Sequence, residues 1–210
     1  MPYPSLGKVV SYTWATKPDP TLNNGTEIFI SDVGTVGSKW RSNGTIYVPS
    51  DLIILHKANN LSASSNGTAE ELLAISSKIP NGVLAVGRTL VVDLLLTKSG
   101  TSESTTNTIK IGTNANGITG ANVMSSAFSL GSTNRQLAHR QGNVIVSETE
   151  IQNSTVGGSA ISTGLSTSAP AGKRTITNIA NDLYISITGT KTTGGIETVT
   201  VLFFDILLYP

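Results

Sequence analysis

The clearest structural signal in the chain is the segment Asn24-Gly-Thr-Glu-Ile-Phe-Ile-Ser-Asp-Val-Gly-Thr-Val-Gly-Ser-Lys-Trp-Arg-Ser-Asn-Gly-Thr-Ile-Tyr-Val-Pro49. Two Asn-Gly-Thr steps bracket short runs of β-branched and aromatic residues, and a third turn, residues 32–37, lies between them. Asn-Gly is the strongest short-range turn signal because both residues tolerate the positive φ of tight hairpins. The segment therefore predicts a compact three-stranded β-meander, and nothing in it is arranged for catalysis.

The rest of the chain also favours β-structure. Charged residues make up 13% and aromatic residues 5%, while Gly, Ser, Thr and Asn are abundant, a balance typical of β-sandwiches with many turns. Short apolar, β-branched runs recur after Ser50 between polar turns, as a sandwich or jelly roll requires. The clearest predicted strands are residues 51–56, 88–97, 107–112, 142–147, 174–178, 182–188 and 197–208. We predict an all-β fold, a small N-terminal β-meander followed by a β-sandwich.

The sequence divides into three predicted parts. Residues 1–22 are rich in proline and predict an extended N-terminal arm, which orders only when it docks on something. Residues 23–50 form the small β-meander, an adaptor with too few residues for a core of its own. Residues 51–210 form the sandwich, and the polar stretches 113–122 and 154–172 are predicted to be loops.

One segment of the sandwich fits two structures. Thr68 and Glu71 have the spacing of a helix capping box, and Leu72, Ile75 and Ile79 fit one face of a helix. A strand that ends before the turn at residues 80–82 fits the same residues equally well. The residues alone leave both alternatives open.

Two predicted strands carry an acid among apolar neighbours, Asp93 and Asp205. Alternation along residues 88–97 places one set of residues inward, Leu90, Val92, Leu94 and Leu96, and another set outward, Val91, Asp93 and Leu95. The outward set is too apolar for open solvent, and the last predicted strand poses the same problem. A sandwich that associates with copies of itself would bury both faces.

Several short motifs follow one another along residues 70–112: Glu70-Glu-Leu-Leu73, Ile79-Pro-Asn-Gly-Val-Leu84, Gly87-Arg-Thr-Leu-Val-Val-Asp93, Thr97-Lys-Ser-Gly-Thr101 and Thr108-Ile-Lys-Ile-Gly112. They resemble the first half of a jelly-roll domain found in bacteriophage tail-fibre and other virion fibre proteins. Asn134-Arg135, Gln141 and residues 202–210 resemble its second half. Residues 31–45 resemble the small β-element often placed just before that domain. The resemblance implies a strand over residues 69–79, a jelly-roll sandwich and a homotrimer.

Charge, cysteine content and hydropathy argue against several classes of protein. The net charge is +1 and the cations are dispersed, so we expect no nucleic-acid binding. The chain has no cysteine and only two isolated histidines, so we expect no disulfide, no metal site and no cofactor. The start has no apolar region of a secretory signal, and residues 199–210 are too short to span a bilayer, so we expect no membrane insertion.

The sequence contains no convincing group of catalytic residues, and we expect the chain not to be an enzyme. His56 and His139 have no nucleophile elbow nearby. Glu148 and Glu150 would share one strand face about 7 Å apart, which suits acid–base work, but a solvated strand end explains them better. If Asp93 and Asp205 are neighbours, hydrogen bonds are the expected explanation. No catalytic, cofactor-binding or metal residue is therefore assigned.

Three aromatic residues, Trp14, Trp40 and Tyr47, could stack on a sugar ring, but we expect Trp40 and Tyr47 to pack in the core or between subunits. Together with the resemblance, these patterns predict a virion protein, a trimeric tail-fibre or fibre-tip subunit. Its arm would bind other tail or capsid proteins, and its sandwich would contact a host-surface glycan or protein. The alternatives are a capsid decoration or head fibre protein without a receptor role, and a glycan-cleaving tail protein that uses Glu148 and Glu150.

Overall fold

The structure is a computed structural model that describes residues 10–59, 64–65, 68–125, 127–133, 135–160, 164–166, 172–193 and 197–210. The described residues form seventeen strands and no α-helix, which confirms the predicted all-β class. The strands lie in three sheets. Residues 1–9 of the predicted arm lie outside the described part of the chain.

The N-terminal sheet contains the predicted meander. Its strands, in spatial order, are β1 Ser11–Tyr12, β2 Glu27–Ile30, β3 Ser38–Ser42 and β4 Tyr47–Pro49. Strands β2, β3 and β4 are antiparallel, as predicted, while β1 adds to β2 in parallel. The turn between β2 and β3 requires glycine at Gly37, which has φ 77° and packs against the Phe29 ring.

Two antiparallel sheets form the sandwich. The smaller sheet contains β7 Glu71–Ile75, β9 Thr105–Gly112, β10 Asn122–Val123, β11 Phe128–Leu130 and β16 Tyr184–Lys191. The larger sheet contains β5 Ile53–Asn59, β6 Ser64–Ser65, β8 Thr89–Lys98, β12 Gln136–Ser147, β13 Glu150–Ala160, β14 Gly164–Ser166, β15 Lys173–Thr175 and β17 Val199–Tyr209.

Strand order differs from chain order in both sheets of the sandwich. The smaller sheet runs β10-β9-β16-β7, with β11 also on β9. The larger sheet runs β14-β13-β12-β8-β17-β5, with β15 on β13 and β6 on β17. Neighbours in space are thus often distant in sequence, and the chain crosses repeatedly between the two sheets.

The structure settles two regions that the sequence left open or misread. Residues 71–75 form strand β7 against β16, so the strand implied by the resemblance is confirmed and the helix is wrong. The predicted loop over residues 154–172 is partly wrong, because β13 continues to Ala160 and β14 follows at residues 164–166. These two strands are rich in Ser, Thr and Gly, so no apolar alternation marks them in the sequence. Residues 161–163 and 167–171 lie outside the described part.

One continuous hydrophobic core joins the N-terminal sheet to the sandwich. The Trp14 and Trp40 rings pack against each other in a tilted arrangement, with 4.7 Å between ring centroids and 60° between ring planes, and Trp14 Nε1 donates to the Asn81 carbonyl at 2.6 Å. Arg88, from the loop before β8, donates to the Tyr47 carbonyl at 2.5 Å and lies over the Trp40 ring. Burial lowers the pKa of Arg88 to about 10. The meander therefore shares a core with the sandwich, since it is too small to have its own.

Candidate functional site

The outward face of the larger sheet is unusually apolar, and we call it the outer face. The inward set predicted for β8 is confirmed, since Leu90, Val92, Leu94 and Leu96 are at most 1% exposed. In the outward set Asp93 and Leu95 are half-buried, while Val91, at 8% exposed, is buried on that side of the sheet as well. Strands β17 and β5 continue the outer face with half-exposed Phe203, Leu207 and Ile54, because Phe203 pairs with Leu95 and Ile54 with Leu207. Contiguous apolar surface of this kind marks an interaction site.

The outer face continues onto the N-terminal sheet. A groove of about 270 Å³ runs between the two, lined by Phe29, Val36, Leu52 and Ile54 among others. Val36 is 82% exposed and Leu52 45%, which is unusual for side chains of this size. The apolar surface therefore spans both parts of the molecule.

Two carboxylates interrupt the outer face. Asp93 and Asp205 lie directly opposite each other on β8 and β17. Burial raises the pKa of Asp93, the nearby Arg140 guanidinium at 3.8 Å lowers it, and Asp205 raises it further. Asp205 Oδ1 is buried and accepts no hydrogen bond. Among the described residues, hydrogen bonds therefore leave this oxygen of Asp205 without a partner, contrary to the expectation from sequence.

The end of the sandwich away from the meander, which we call the distal end, contains buried charges. Lys98, the last residue of β8, has a fully buried side chain. Its Nζ donates to the carbonyls of Glu103, Gly131 and Ser132, at 3.2 Å and 3.0 Å for the last two. It also lies 3.5 Å from Glu197 Oε2. One ammonium group thus joins the loop after β8, the loop after β11 and Glu197, which lies two residues before β17.

The Glu197 carboxylate holds the loop after β8 from the other side. Its Oε1 accepts from the Ser102 backbone N–H at 2.7 Å and from the Ser102 hydroxyl at 2.8 Å, and its Oε2 accepts from the Glu103 N–H at 3.1 Å. The Ser102 backbone N–H, together with the other donors and Lys98, holds the pKa of Glu197 at about 2. The carboxylate is therefore ionised throughout the physiological range.

A second lysine completes the set, which we call the distal network: Lys98, Glu103, Lys191 and Glu197. The Lys191 side chain is fully buried, and its Nζ donates to the Glu197 carbonyl at 2.5 Å and lies 3.3 Å from Glu103 Oε2. Two cations thus face two anions. The distal network joins described residues of three loops, and most of those that are exposed carry a hydroxyl group, namely Ser99, Thr101, Ser102, Thr133, Thr192 and Thr193.

The sequence did not single out the distal network. Its members lie up to 99 positions apart, from 98 to 197, and each is an isolated charge next to a turn. The one local signal is that Lys98 and Lys191 both end strands whose preceding residues are largely buried. A lysine at the end of a largely buried strand is expected to be partly buried itself. The sequence does not indicate which groups it pairs with, because those groups are brought to it only by the fold.

The aromatic residues considered for sugar stacking are committed to the core. Trp14, Trp40 and Tyr47 are 6%, 0% and 3% exposed. The preference for packing over ligand stacking is confirmed for Trp40 and Tyr47, and it is packing within the chain rather than between subunits. Trp14, whose ring is also covered by the Lys17 ammonium at 4.0 Å, packs in the same way.

The acid–base candidates do not come together. Glu148 lies in the turn between β12 and β13, so the prediction that it shares a strand face with Glu150 is wrong. Glu150 instead pairs with Lys173 at 3.0 Å. His139 stacks on Phe128 at 4.1 Å, and burial lowers the pKa of His139. His56 accepts from the Ser77 N–H at 3.1 Å, and burial lowers its pKa as well, with Asp205 opposing.

Two further features concern ligands and membranes. In the described part of the chain, His, Asp and Glu side chains form no group of three or more that could hold a metal ion. No helix among the same residues is long and apolar enough to cross a membrane.

The chain matches no protein-family model and no curated protein. The candidate functional surfaces are therefore the outer face and the distal end.

Proposed function

We propose that this chain is a structural protein of a bacteriophage virion, a homotrimeric tail-fibre or fibre-tip subunit that attaches the particle to the host surface. The observation that carries the proposal is the outer face. A sheet face that presents Ile54, Leu95, Phe203 and Leu207 to solvent is costly for a monomer, because buried apolar surface contributes about 25 cal/mol per Å². Association with copies of the same chain covers it.

The size of the outer face supports an interface between subunits. Its central strands β5, β17, β8 and β12 are spaced about 4.8 Å apart, and ten residues of strand extend roughly 33 Å, so these strands present on the order of 600 Å². A standard interface buries about 800 Å² per partner. The apolar groove beside Phe29 adds to this area.

We further propose that the sandwich is a jelly roll. Eight strands support this: β5, β17, β8 and β12 are consecutive in one sheet, and β7, β16, β9 and β11 are linked in the other. Strands β5 and β17, the first and last of the sandwich, pair with each other, and β7 and β16 pair in the opposite sheet. Such nested pairing of early with late strands is the arrangement of two Greek keys.

The two ends of the sandwich suit different tasks in this proposal. The N-terminal sheet and its arm would bind other tail or capsid proteins, since they lie at the end where β5 begins. The distal end projects away from them and would contact a host-surface glycan or protein. Three subunits per fibre and several fibres per particle would raise weak contacts to useful avidity.

Adsorption assays and microscopy test the proposed function. Purified chain, added in excess, should block adsorption of phages whose genome encodes it, and antibodies against the chain should label the tail fibres. A charge-matched, unrelated β-sandwich protein serves as the control. Labelling on the capsid, or adsorption that is unchanged at saturating purified chain, would contradict the attachment role.

A further inference from the structure

Four charged residues form a straight row across the outer face. Lys57 lies opposite Asp205, Asp205 lies opposite Asp93, and Asp93 lies opposite Arg140. Residues directly opposite in antiparallel strands point to the same side of a sheet. The row crosses the central strands β5, β17, β8 and β12 and reads positive, negative, negative, positive. We call it the charge row.

The orientation of Lys57 follows from its neighbour. The His56 ring contacts Phe204, which is fully buried. It also accepts a hydrogen bond from the backbone N–H of Ser77, two residues after the end of β7 in the smaller sheet. His56 therefore points into the sandwich, and the next residue points outward. Lys57 is exposed, consistent with that alternation.

The charge row is poorly satisfied within one chain. Asp205 Oδ1 is buried without a hydrogen bond, and no cation of the described residues lies within ion-pair distance of Asp205. Arg140 is 3.8 Å from Asp93, a distance too long for a hydrogen bond. The surrounding pairs are apolar, with Phe203 opposite Leu95 on one side and Leu207 opposite Val91 on the other. Half-buried charges in such surroundings require partners.

We propose that the charge row sets the register between neighbouring copies of this chain. The half with Lys57 and Asp205 is complementary to the half with Asp93 and Arg140. In a ring of identical subunits, each copy presents one half to the next. Lys57 then meets the neighbouring copy's Asp93, and Asp205 meets the neighbouring copy's Arg140.

The order of positive and negative charges in the row favours a second copy of this chain, rather than another molecule, as the partner that covers the outer face. The row contains two cations and two anions, so its net charge is zero and it does not attract a partner of one sign. Its complement is the other half of the same row, which every copy of the chain carries. Opposite charges across an interface fix register, and a misplaced copy would bring Asp205 against Asp93. The inference rests on the proposed self-association and specifies how it is aligned.

Sedimentation of four variants tests the charge row. Asp205→Asn, which keeps the side-chain shape, should raise the dissociation constant of the trimer by about tenfold or more, because a cross-subunit ion pair is lost. Asp205→Arg and Arg140→Asp should each weaken the trimer further. The double variant with both changes should recover most of the wild-type assembly. Glu148→Arg, in an exposed turn outside the outer face, is the matched control and should assemble normally.

The outcomes separate the two proposals. A wild-type trimer whose assembly is unchanged by Asp205→Asn and by both single charge reversals would overturn the charge row while leaving self-association intact. Weakening in the single variants without recovery in the double variant would overturn the Asp205–Arg140 pairing between copies. A wild-type chain that sediments as a monomer at all concentrations would contradict the proposed assembly itself.

Discussion

The distal network and the charge row each contain two cations and two carboxylates, but they differ in how completely those charges are paired within the chain. In the distal network, both lysine side chains are fully buried and the carboxylates accept backbone and hydroxyl hydrogen bonds. In the charge row, Asp205 has a buried oxygen without a partner, and Arg140 only approaches Asp93. Glu103 Oε2 of the distal network also lacks a hydrogen bond, but it lies 3.3 Å from Lys191 Nζ. Every charge of the distal network thus has an ion-pair partner within the chain, whereas Asp205 has none among the described residues.

This difference indicates what each surface is for. A buried charge is tolerated when it is paired, and the distal network pairs its charges within the chain, Lys98 with Glu197 and Lys191 with Glu103. Its hydrogen bonds hold Ser102, Glu103, Gly131 and Ser132 in place, which reduces the entropic cost of a contact made by these residues. In the proposed assembly, a further chain would supply the partners that the charge row lacks among the described residues. The distal network thus pre-organises the described residues around it, and the proposed self-association would cover the outer face.

The largest effect on folding is expected from Lys98→Met. The change removes the ammonium group that three carbonyls and Glu197 share, and breaking a buried ion pair costs about 3–5 kcal/mol. Urea denaturation should give a free energy of unfolding lower by that amount. Lys39→Met, at an exposed position of β3, should change it by less than about 0.5 kcal/mol. Equal changes in the free energy of unfolding for the two variants would contradict the stabilising role assigned to the distal network.

Gly100→Ala should have the next largest effect. A Cβ at this position would collide with the Glu197 carboxylate and displace it from the Ser102 N–H. Overpacking of this kind costs roughly 1–3 kcal/mol in the free energy of unfolding. Because the penalty arises from one side chain, it should largely vanish in a Glu197→Ala background, as a double-mutant cycle would measure. Additive effects would show that the two residues act independently.

Stability should also depend on pH through Glu197. Its pKa falls from an ordinary 4.5 to about 2 on folding, so its contribution is full above pH 4.5 and is lost as the pH falls toward 2. The free energy of unfolding should therefore decline between about pH 5 and pH 2. Glu197→Gln should be less stable at pH 7 and should show a shallower decline. A slope identical to that of the wild type would assign the acid sensitivity to other groups.

The smallest effect on the fold, and the largest on assembly, is expected from Leu207→Lys. The side chain is half-exposed on the outer face, so the far-ultraviolet circular dichroism spectrum should remain that of the wild type. The charge should nevertheless prevent association, which sedimentation would detect as a single chain. Thr106→Lys, at an exposed position of β9 in the smaller sheet, should remain trimeric. Equal assembly of both variants would place the interface elsewhere.

The parts of the structure that the sequence predicted are those set by local periodicity. The Asn-Gly steps at residues 24 and 43 marked the meander, and alternation in residues 88–97 correctly assigned the two faces of β8. Strand β13 was missed because Ser, Thr and Gly dominate its second half and give no apolar alternation. The Asp205–Asp93 contact required the register between β17 and β8, which no local pattern encodes.

The candidate surfaces were predicted unequally for the same reason. The apolar outer face follows from counting side chains along β8 and β17, and the sequence indicated that both faces need cover. The distal network joins residues from loops far apart in the chain, so its existence depends on strand order. Trp40 was correctly assigned to packing, but its partners Trp14 and Arg88 come from outside the meander.

The mass of the purified chain in solution tests the central claim, that the outer face is an interface between copies, most directly. Sedimentation equilibrium of the full chain at neutral pH and moderate salt should give a mass of three chains of 21.8 kDa each. The trimer should persist on dilution to the low micromolar range, as a specific interface allows. A mass of one chain across the accessible concentrations would contradict the account.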